Sequence, residues 1–147
     1  MLSRCKDLMD NARGFSLIEL MVALVVLAIL TAVALPSYQG YVRKARRTDA
    51  MDALLAIQLL QEKYRANNPS YGTLAEVGFD AAKSLEGHYE IALAEESLSA
   101  TGYTLIAKGV GDQTRDKVGS LSCAEMAITV DGDNPRGAKT PAACWSR

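Results

Sequence analysis

A single carboxylate, Glu19, interrupts an otherwise apolar stretch that runs from Phe15 to Leu35. As a helix, these 21 positions would extend about 31 Å, close to the thickness of a bilayer's hydrocarbon core. An ionised carboxylate at that depth costs on the order of 2.5 kcal/mol or more unless it finds a partner. A cut after Gly14 would supply one, because it creates an α-amine at Phe15, within one helical turn of Glu19. The predicted chemistry is an amine–carboxylate ion pair inside an apolar layer.

The segment before Phe15 is short, polar and charged, and its three basic residues outweigh its two aspartates by one positive charge. A positive flank favours retention on the cytoplasmic side of a membrane. An ordinary secretory signal is excluded because its small-residue cleavage site would follow the apolar region. A cut after Gly14 would instead leave the apolar stretch on the mature chain.

The tract from Arg13 to Val42 resembles the N-terminal signature of prepilins of the type IV filament family. A glycine precedes an aromatic residue at Gly14, a glutamate stands at the fifth mature position, Glu19, and a proline at the twenty-second, Pro36. The resemblance implies that a prepilin peptidase cuts between Gly14 and Phe15 and that the new amine is methylated. It also implies that Glu19 pairs with the Phe15 amine of a neighbouring subunit during assembly.

The resemblance further implies a structural subunit of a type IV pilus, of the minor class, rather than an enzyme. Its partners would be other pilin subunits, the prepilin peptidase, an inner-membrane assembly platform and inner-membrane lipid. The chain would cross the inner membrane once with a periplasmic C-terminal headgroup, and would later become part of an extracellular pilus. Two alternatives stay open: a pilus-borne DNA-binding minor pilin for DNA uptake, and a type II secretion pseudopilin.

Helix-compatible sequence resumes directly after Pro36 and continues without another proline to Asn67. We therefore predict one long helix over residues 15–67, kinked at Pro36 because proline lacks a backbone donor and clashes with the preceding turn. The predicted organisation begins with a leader, residues 1–14. The helix then has a membrane and assembly half, residues 15–35, and a half that packs on the headgroup, residues 36–67. The headgroup follows as residues 68–147.

Alternation with a period of two predicts strands after Gly87, after Gly102 and from Met126 to Val130. The short connection between the first two makes an antiparallel hairpin the simplest pairing. The predicted fold class is α+β. It is the type IV pilin fold, in which a long kinked N-terminal helix packs on a small antiparallel β-sheet headgroup with a C-terminal disulfide loop.

Cys123 and Cys144 both lie beyond the membrane stretch, on the side expected to be oxidising, so a disulfide is their natural pairing. Closing that loop would contribute on the order of 3 kcal/mol by restricting the unfolded chain. The stretch from Cys123 to Trp145, which holds the disulfide region 123–144, ends in Cys-Trp and contains a loop with glycine and proline. It is similar to the C-terminal regions of PilE-like and DNA-uptake-receptor-like minor pilins.

Two surfaces of the second half of the helix have more than one interpretation. The helical wheel predicts a core face made of Ala50, Ala53, Leu54, Ile57, Leu60 and Tyr64. A second apolar line, formed by Met51, Leu55 and Leu59, either widens the core or contacts neighbouring subunits. A basic cluster is either a solvated face or a contact for anionic head groups: Arg43, Lys44, Arg46 and Arg47.

The alternative role in DNA binding depends on how the fold distributes charge. From Asp112 onward, five basic and five acidic residues cancel, whereas phosphate neutralisation dominates DNA affinity. A receptor would need its basic residues on one face, and the candidate contacts are Arg115, Lys117, Arg136 and Lys139. No metal or cofactor is expected, because His88 is the only histidine and the loop at Asp131 has the composition of a turn.

Overall fold

The structure, a computed structural model, describes residues 14–146. Of the predicted leader it describes Gly14 alone, and Arg147 lies outside the described residues. A long helix, α1, spans Leu17–Arg65. The predicted long helix is thereby confirmed, beginning and ending slightly inside the predicted 15–67. Pro36 lies inside α1, and its kink stays a prediction.

The chain divides into two compact units, one ending at Tyr38 and the other beginning at Gln39. In the first unit the apolar side chains of α1 are exposed, with a mean hydropathy of 2.8 and no burial in the most apolar 18-residue window. By length and composition, α1 is able to cross a bilayer.

Six strands follow in the second unit: β1 (Tyr89–Leu93), β2 (Tyr103–Gly109), β3 (Lys117–Val118), β4 (Leu121–Ser122), β5 (Glu125–Val130) and β6 (Ala138–Thr140). Four of them form an antiparallel sheet in the order β1-β2-β5-β6, while β3 and β4 pair as a separate ribbon. The three predicted strands and the β1–β2 hairpin are confirmed. The sequence did not predict β3, β4 or β6.

The core lies between the sheet and the second half of α1. The helix contributes Ala50, Leu54 and Ile57, and the sheet contributes Leu105 and Ile128, all fully buried. The predicted α+β packing is therefore confirmed. It buries alternate residues of each strand, as the period-two pattern requires.

The second apolar line of the helix does not act as one surface. Met51 is buried in the core, whereas Leu55 is 41% exposed and Leu59 is 72% exposed. The core therefore widens only as far as Met51, and the outward leucines remain candidates for an interface. Gln61 occupies a core position that the wheel did not predict, and its amide forms two hydrogen bonds with the backbone of Gly72, at 2.6 and 3.0 Å.

The predicted disulfide is confirmed between Cys123 and Cys144. It joins the residue after β4 to the short 3₁₀ segment Ala142–Trp145, which follows β6. The segment Ala142–Trp145 also contacts β3 and β6. The disulfide thus holds the β3–β4 ribbon beside the end of the main sheet.

Candidate functional sites

The candidate processing and assembly residues lie at the start of the described chain. Gly14 and Phe15 precede α1, and the Phe15 side chain is 78% exposed. Glu19 is exposed in the first helical turn. Within residues 14–146, no ion pair involves Glu19. Its carboxylate is therefore available to a group from outside this chain.

The basic cluster after the membrane stretch is divided by the fold. Arg43 pairs with Asp112 at 2.8 Å, and Arg47 pairs with Asp116 at 2.5 Å. Both sequence interpretations are wrong for Arg47, because its side chain is 2% exposed and can face neither bulk water nor lipid head groups. The hydrogen bond with Asp116 raises the pKa of the Arg47 guanidinium above its ordinary value, outweighing the opposite effect of burial.

A buried polar network surrounds this second pair. Arg47 Nη2 donates to Asp116 Oδ1 at 2.8 Å and to the Lys117 carbonyl at 3.2 Å. Gln113 Nε2 lies 3.3 Å from Asp116 Oδ2 and 2.7 Å from the Tyr89 hydroxyl. Burial raises the pKa of Tyr89 to about 12, against the lowering effect of Gln113. The network therefore joins α1 to the segment before β3 through a charged pair and neutral partners.

Asp49 is a buried carboxylate of α1 whose partners lie within this chain. Its carboxylate is buried and accepts hydrogen bonds from Ser84 Oγ at 2.6 Å, Glu86 N at 3.1 Å and His88 N at 3.2 Å. Asp49 therefore anchors the turn that leads into β1.

The four candidate DNA contacts are exposed on three separate segments. Arg115 ends the 3₁₀ segment Gly111–Arg115, Lys117 begins β3, and Arg136 and Lys139 lie before and within β6. Lys139 Nζ lies 5.2 Å from the centre of the Trp145 ring. Both β3 and β6 contact the segment Ala142–Trp145. The strands that carry Lys117 and Lys139 therefore lie beside the same segment.

The loop at Asp131 has the geometry of a turn. Asp131 Oδ1 accepts hydrogen bonds from the backbone of Asp133 at 3.0 Å and of Asn134 at 2.7 Å. In the part of the chain that the structure describes, no cluster of three or more His, Cys, Asp or Glu side chains could hold a metal ion.

A long helix with an apolar, exposed first half, a second half packed on an antiparallel sheet and a C-terminal disulfide define a pilin-type subunit. The family model described as the prokaryotic N-terminal methylation motif matches residues 9–35. The model described as "Type IV minor pilin ComP, DNA uptake sequence receptor" matches residues 36–127. Because that model covers more than half of the chain, the chain belongs to the type IV pilin family. The resemblance read from the sequence is confirmed, and the family is one of structural pilins rather than enzymes.

Individual relatives agree with this family. Prepilin peptidase-dependent protein D of Escherichia coli (strain K12) is 51% identical over 47 residues, or 32% of each chain. A fimbrial protein of Moraxella nonliquefaciens is 29% identical over 127 residues, covering 81% of this chain and 82% of the relative. Type II secretion system core protein G of Klebsiella pneumoniae is 35% identical over 83 residues, covering 54% of this chain and 59% of the relative.

Proposed function

We propose that this chain is a minor subunit of a type IV pilus, that it is cleaved after Gly14, and that it assembles with other pilin subunits through its N-terminal helix. One observation carries the proposal: the exposed apolar first half of α1 holds a single carboxylate, Glu19. So large an exposed apolar surface is stable in lipid or against other apolar helices. Cleavage supplies the amine that this carboxylate needs. The role that we propose for the chain is structural rather than catalytic.

Before assembly, the chain is stored in the inner membrane as a single span with its headgroup in the periplasm. The positive charge of the leader supports this orientation, and so does the disulfide, which needs an oxidising compartment. Its partners there are membrane lipid, the prepilin peptidase and the assembly platform. After assembly, the headgroup is displayed on an extracellular filament.

A bulky residue at position 14 is expected to block processing. In Gly14→Leu the chain should keep its leader and stay in the membrane, because the peptidase must bring its catalytic groups close to this bond. A Cβ at Gly14 meets no atom within 4 Å, so the chain's own fold gives no other reason for a defect. The intact mass of the chain from membranes measures the outcome.

Gly40→Leu is the matched control, because Gly40 also has no atom within 4 Å of an added Cβ and lies within α1. This variant should be cleaved normally. Normal cleavage of Gly14→Leu would overturn the proposed processing site.

A secretion pseudopilin remains the competing assignment, since one relative is a type II secretion system protein. We favour the pilus because the ComP model matches the headgroup region and because the chain has the Cys123–Cys144 disulfide and a Cys-Trp ending. Location of the gene among secretin-type secretion genes rather than pilus genes would favour the pseudopilin.

A DNA-receptor role is the second function that we propose for this subunit. It is supported by the match to the minor-pilin family described as a DNA uptake sequence receptor, and by the exposed basic residues near the disulfide. We expect the full chain in detergent micelles to bind duplex DNA with an affinity that falls as salt rises. Substituting Gln for Arg115, Lys117 or Lys139 should each reduce the salt slope by about 1, because each removes one phosphate contact.

Lys63→Gln is the control, since Lys63 is an exposed cation in the last turn of α1, away from the candidate contacts in sequence. It should leave the slope unchanged. If the unaltered chain does not bind DNA even at low salt, the receptor role is excluded while the role as a filament subunit stands.

A further inference from the structure

Two of the proposed DNA contacts flank a buried carboxylate. Arg115 ends the 3₁₀ segment Gly111–Arg115, and the backbone at Asp116 is extended, with φ −69° and ψ 136°. Asp116 is 3% exposed, whereas the residues on either side of it are exposed. Arg115 is 78% exposed, and Lys117 is exposed as well. Their Cα atoms are about 6 Å apart at about 3.1 Å per residue of such a backbone, so the two cations leave the protein surface close together.

Asp116 is held inward by contacts on both of its carboxylate oxygens and on its backbone. Arg47 reaches the two oxygens at 2.5 and 2.8 Å, and Gln113 Nε2 lies 3.3 Å from one of them. The Asp116 carbonyl accepts a hydrogen bond from Cys123 N at 2.9 Å. Arg47 also donates to the Lys117 carbonyl at 3.2 Å. One arginine on α1 therefore holds both the inward side chain of Asp116 and the main chain at Lys117.

A buried ion pair is a weak source of stability in its own right, since well-packed apolar residues of similar volume often serve as well or better. Apolar side chains could not, however, donate a hydrogen bond to the Lys117 carbonyl or hold the side chain of residue 116 in one orientation. The geometry of this pair therefore suits a role in fixing the local conformation.

We infer that the buried Arg47–Asp116 pair is a positioning device that presents Arg115 and Lys117 together to two phosphates of a bound DNA strand. The inference rests on the proposed DNA-receptor function and adds to it two residues that do not touch DNA. It links the DNA-contacting segment to α1, the helix through which the subunit enters the filament.

Asp116→Asn tests the inference because an electrostatic role and a positioning role predict opposite changes in the affinity for DNA. Removing a negative charge next to two phosphate contacts should tighten DNA binding if electrostatics alone matters. If Asp116 positions the contacts, binding should weaken and the salt slope should fall by about 2, because both cations lose their place. The measurement is the affinity of the full chain in detergent micelles for a short mixed-sequence duplex over a series of salt concentrations.

Arg47→Lys is the second variant, because it keeps the charge but loses the paired donors that reach Asp116 and the Lys117 carbonyl. It should also weaken binding and lower the slope, and it decides the matter if Asp116→Asn does not fold. Gln61→Met is the control for stability: it removes another buried polar contact of α1 and should leave the slope unchanged.

The possible outcomes distinguish the positioning role of the buried pair from the DNA-receptor role of the chain. Salt-dependent binding by the unaltered chain, with an equal or tighter affinity in folded Asp116→Asn and Arg47→Lys, would overturn the positioning role and leave the receptor role intact. A lack of binding by the unaltered chain would overturn both. A reduced slope in both variants, with a normal slope in Gln61→Met, would support the inference.

Discussion

Replacing Glu19 with Ala is expected to leave the chain cleaved and membrane-bound but nearly absent from filaments. If the two groups pair as we propose, the change leaves the Phe15 amine of a neighbouring subunit without a carboxylate in an apolar layer, where an uncompensated charge costs on the order of 2.5 kcal/mol or more. Since 1.4 kcal/mol is about a factor of ten in an equilibrium constant, incorporation should fall well over tenfold. The measurement is the amount of chain in sheared, purified filaments relative to the membrane fraction.

Two further variants make this result specific to charge. Glu19→Gln keeps the size and polarity of the side chain, so it should be as defective as Glu19→Ala. Asp52→Ala removes an exposed carboxylate from the headgroup half of the same helix and should be incorporated normally. Filaments that contain Glu19→Ala at the unaltered level would contradict the proposed pairing.

Replacing Arg47 with Ala is expected to destabilise the headgroup by about 3–5 kcal/mol, because it leaves the buried Asp116 carboxylate without its cation. A loss of that size is a large share of the roughly 5–15 kcal/mol that stabilises a typical domain. Urea unfolding of the full chain in detergent micelles, followed by near-ultraviolet circular dichroism, measures the loss.

Arg43→Ala is a matched control because Arg43 stands one turn earlier on the same helix and pairs with a carboxylate one turn earlier on the facing segment. Its pair with Asp112 is partly exposed to solvent, with side chains 15% and 42% accessible, whereas both side chains of the Arg47–Asp116 pair are 2% accessible. Solvent screens an exposed pair, so Arg43→Ala should cost much less. Equal losses in the two variants would show that burial does not set the energy of these pairs.

The parts of the fold that could be predicted are those with a local signal. The apolar stretch and its carboxylate lie within consecutive residues, and the strands β1, β2 and β5 are long enough to show alternation. By contrast, β3 and β4 have two residues each and β6 has three, too few to reveal a period. Instead, β6 pairs with β5, and the β3–β4 ribbon contacts the segment Ala142–Trp145, which the disulfide joins to the residue after β4.

The buried ion pair could not be predicted, because in sequence Arg47 looks like the other members of its basic cluster. Its partner, Asp116, is 69 residues away, and no local pattern marks either residue as buried. The same holds for Asp49 and Ser84, which are 35 residues apart. The helical wheel likewise gives the direction of Leu59 but not the edge of the sheet, so it could not show that Met51 is the only buried residue of the second apolar line.

In the function that we propose, this chain enters a filament only after a cut that exposes the amine of Phe15. The most direct test is the intact mass and N-terminal fragment spectrum of the chain recovered from purified filaments. The proposal predicts a chain that begins at Phe15 and carries one methyl group on its amine. A filament-borne chain that still carries residues 1–14, or a cleaved chain that is never recovered from filaments, would contradict it.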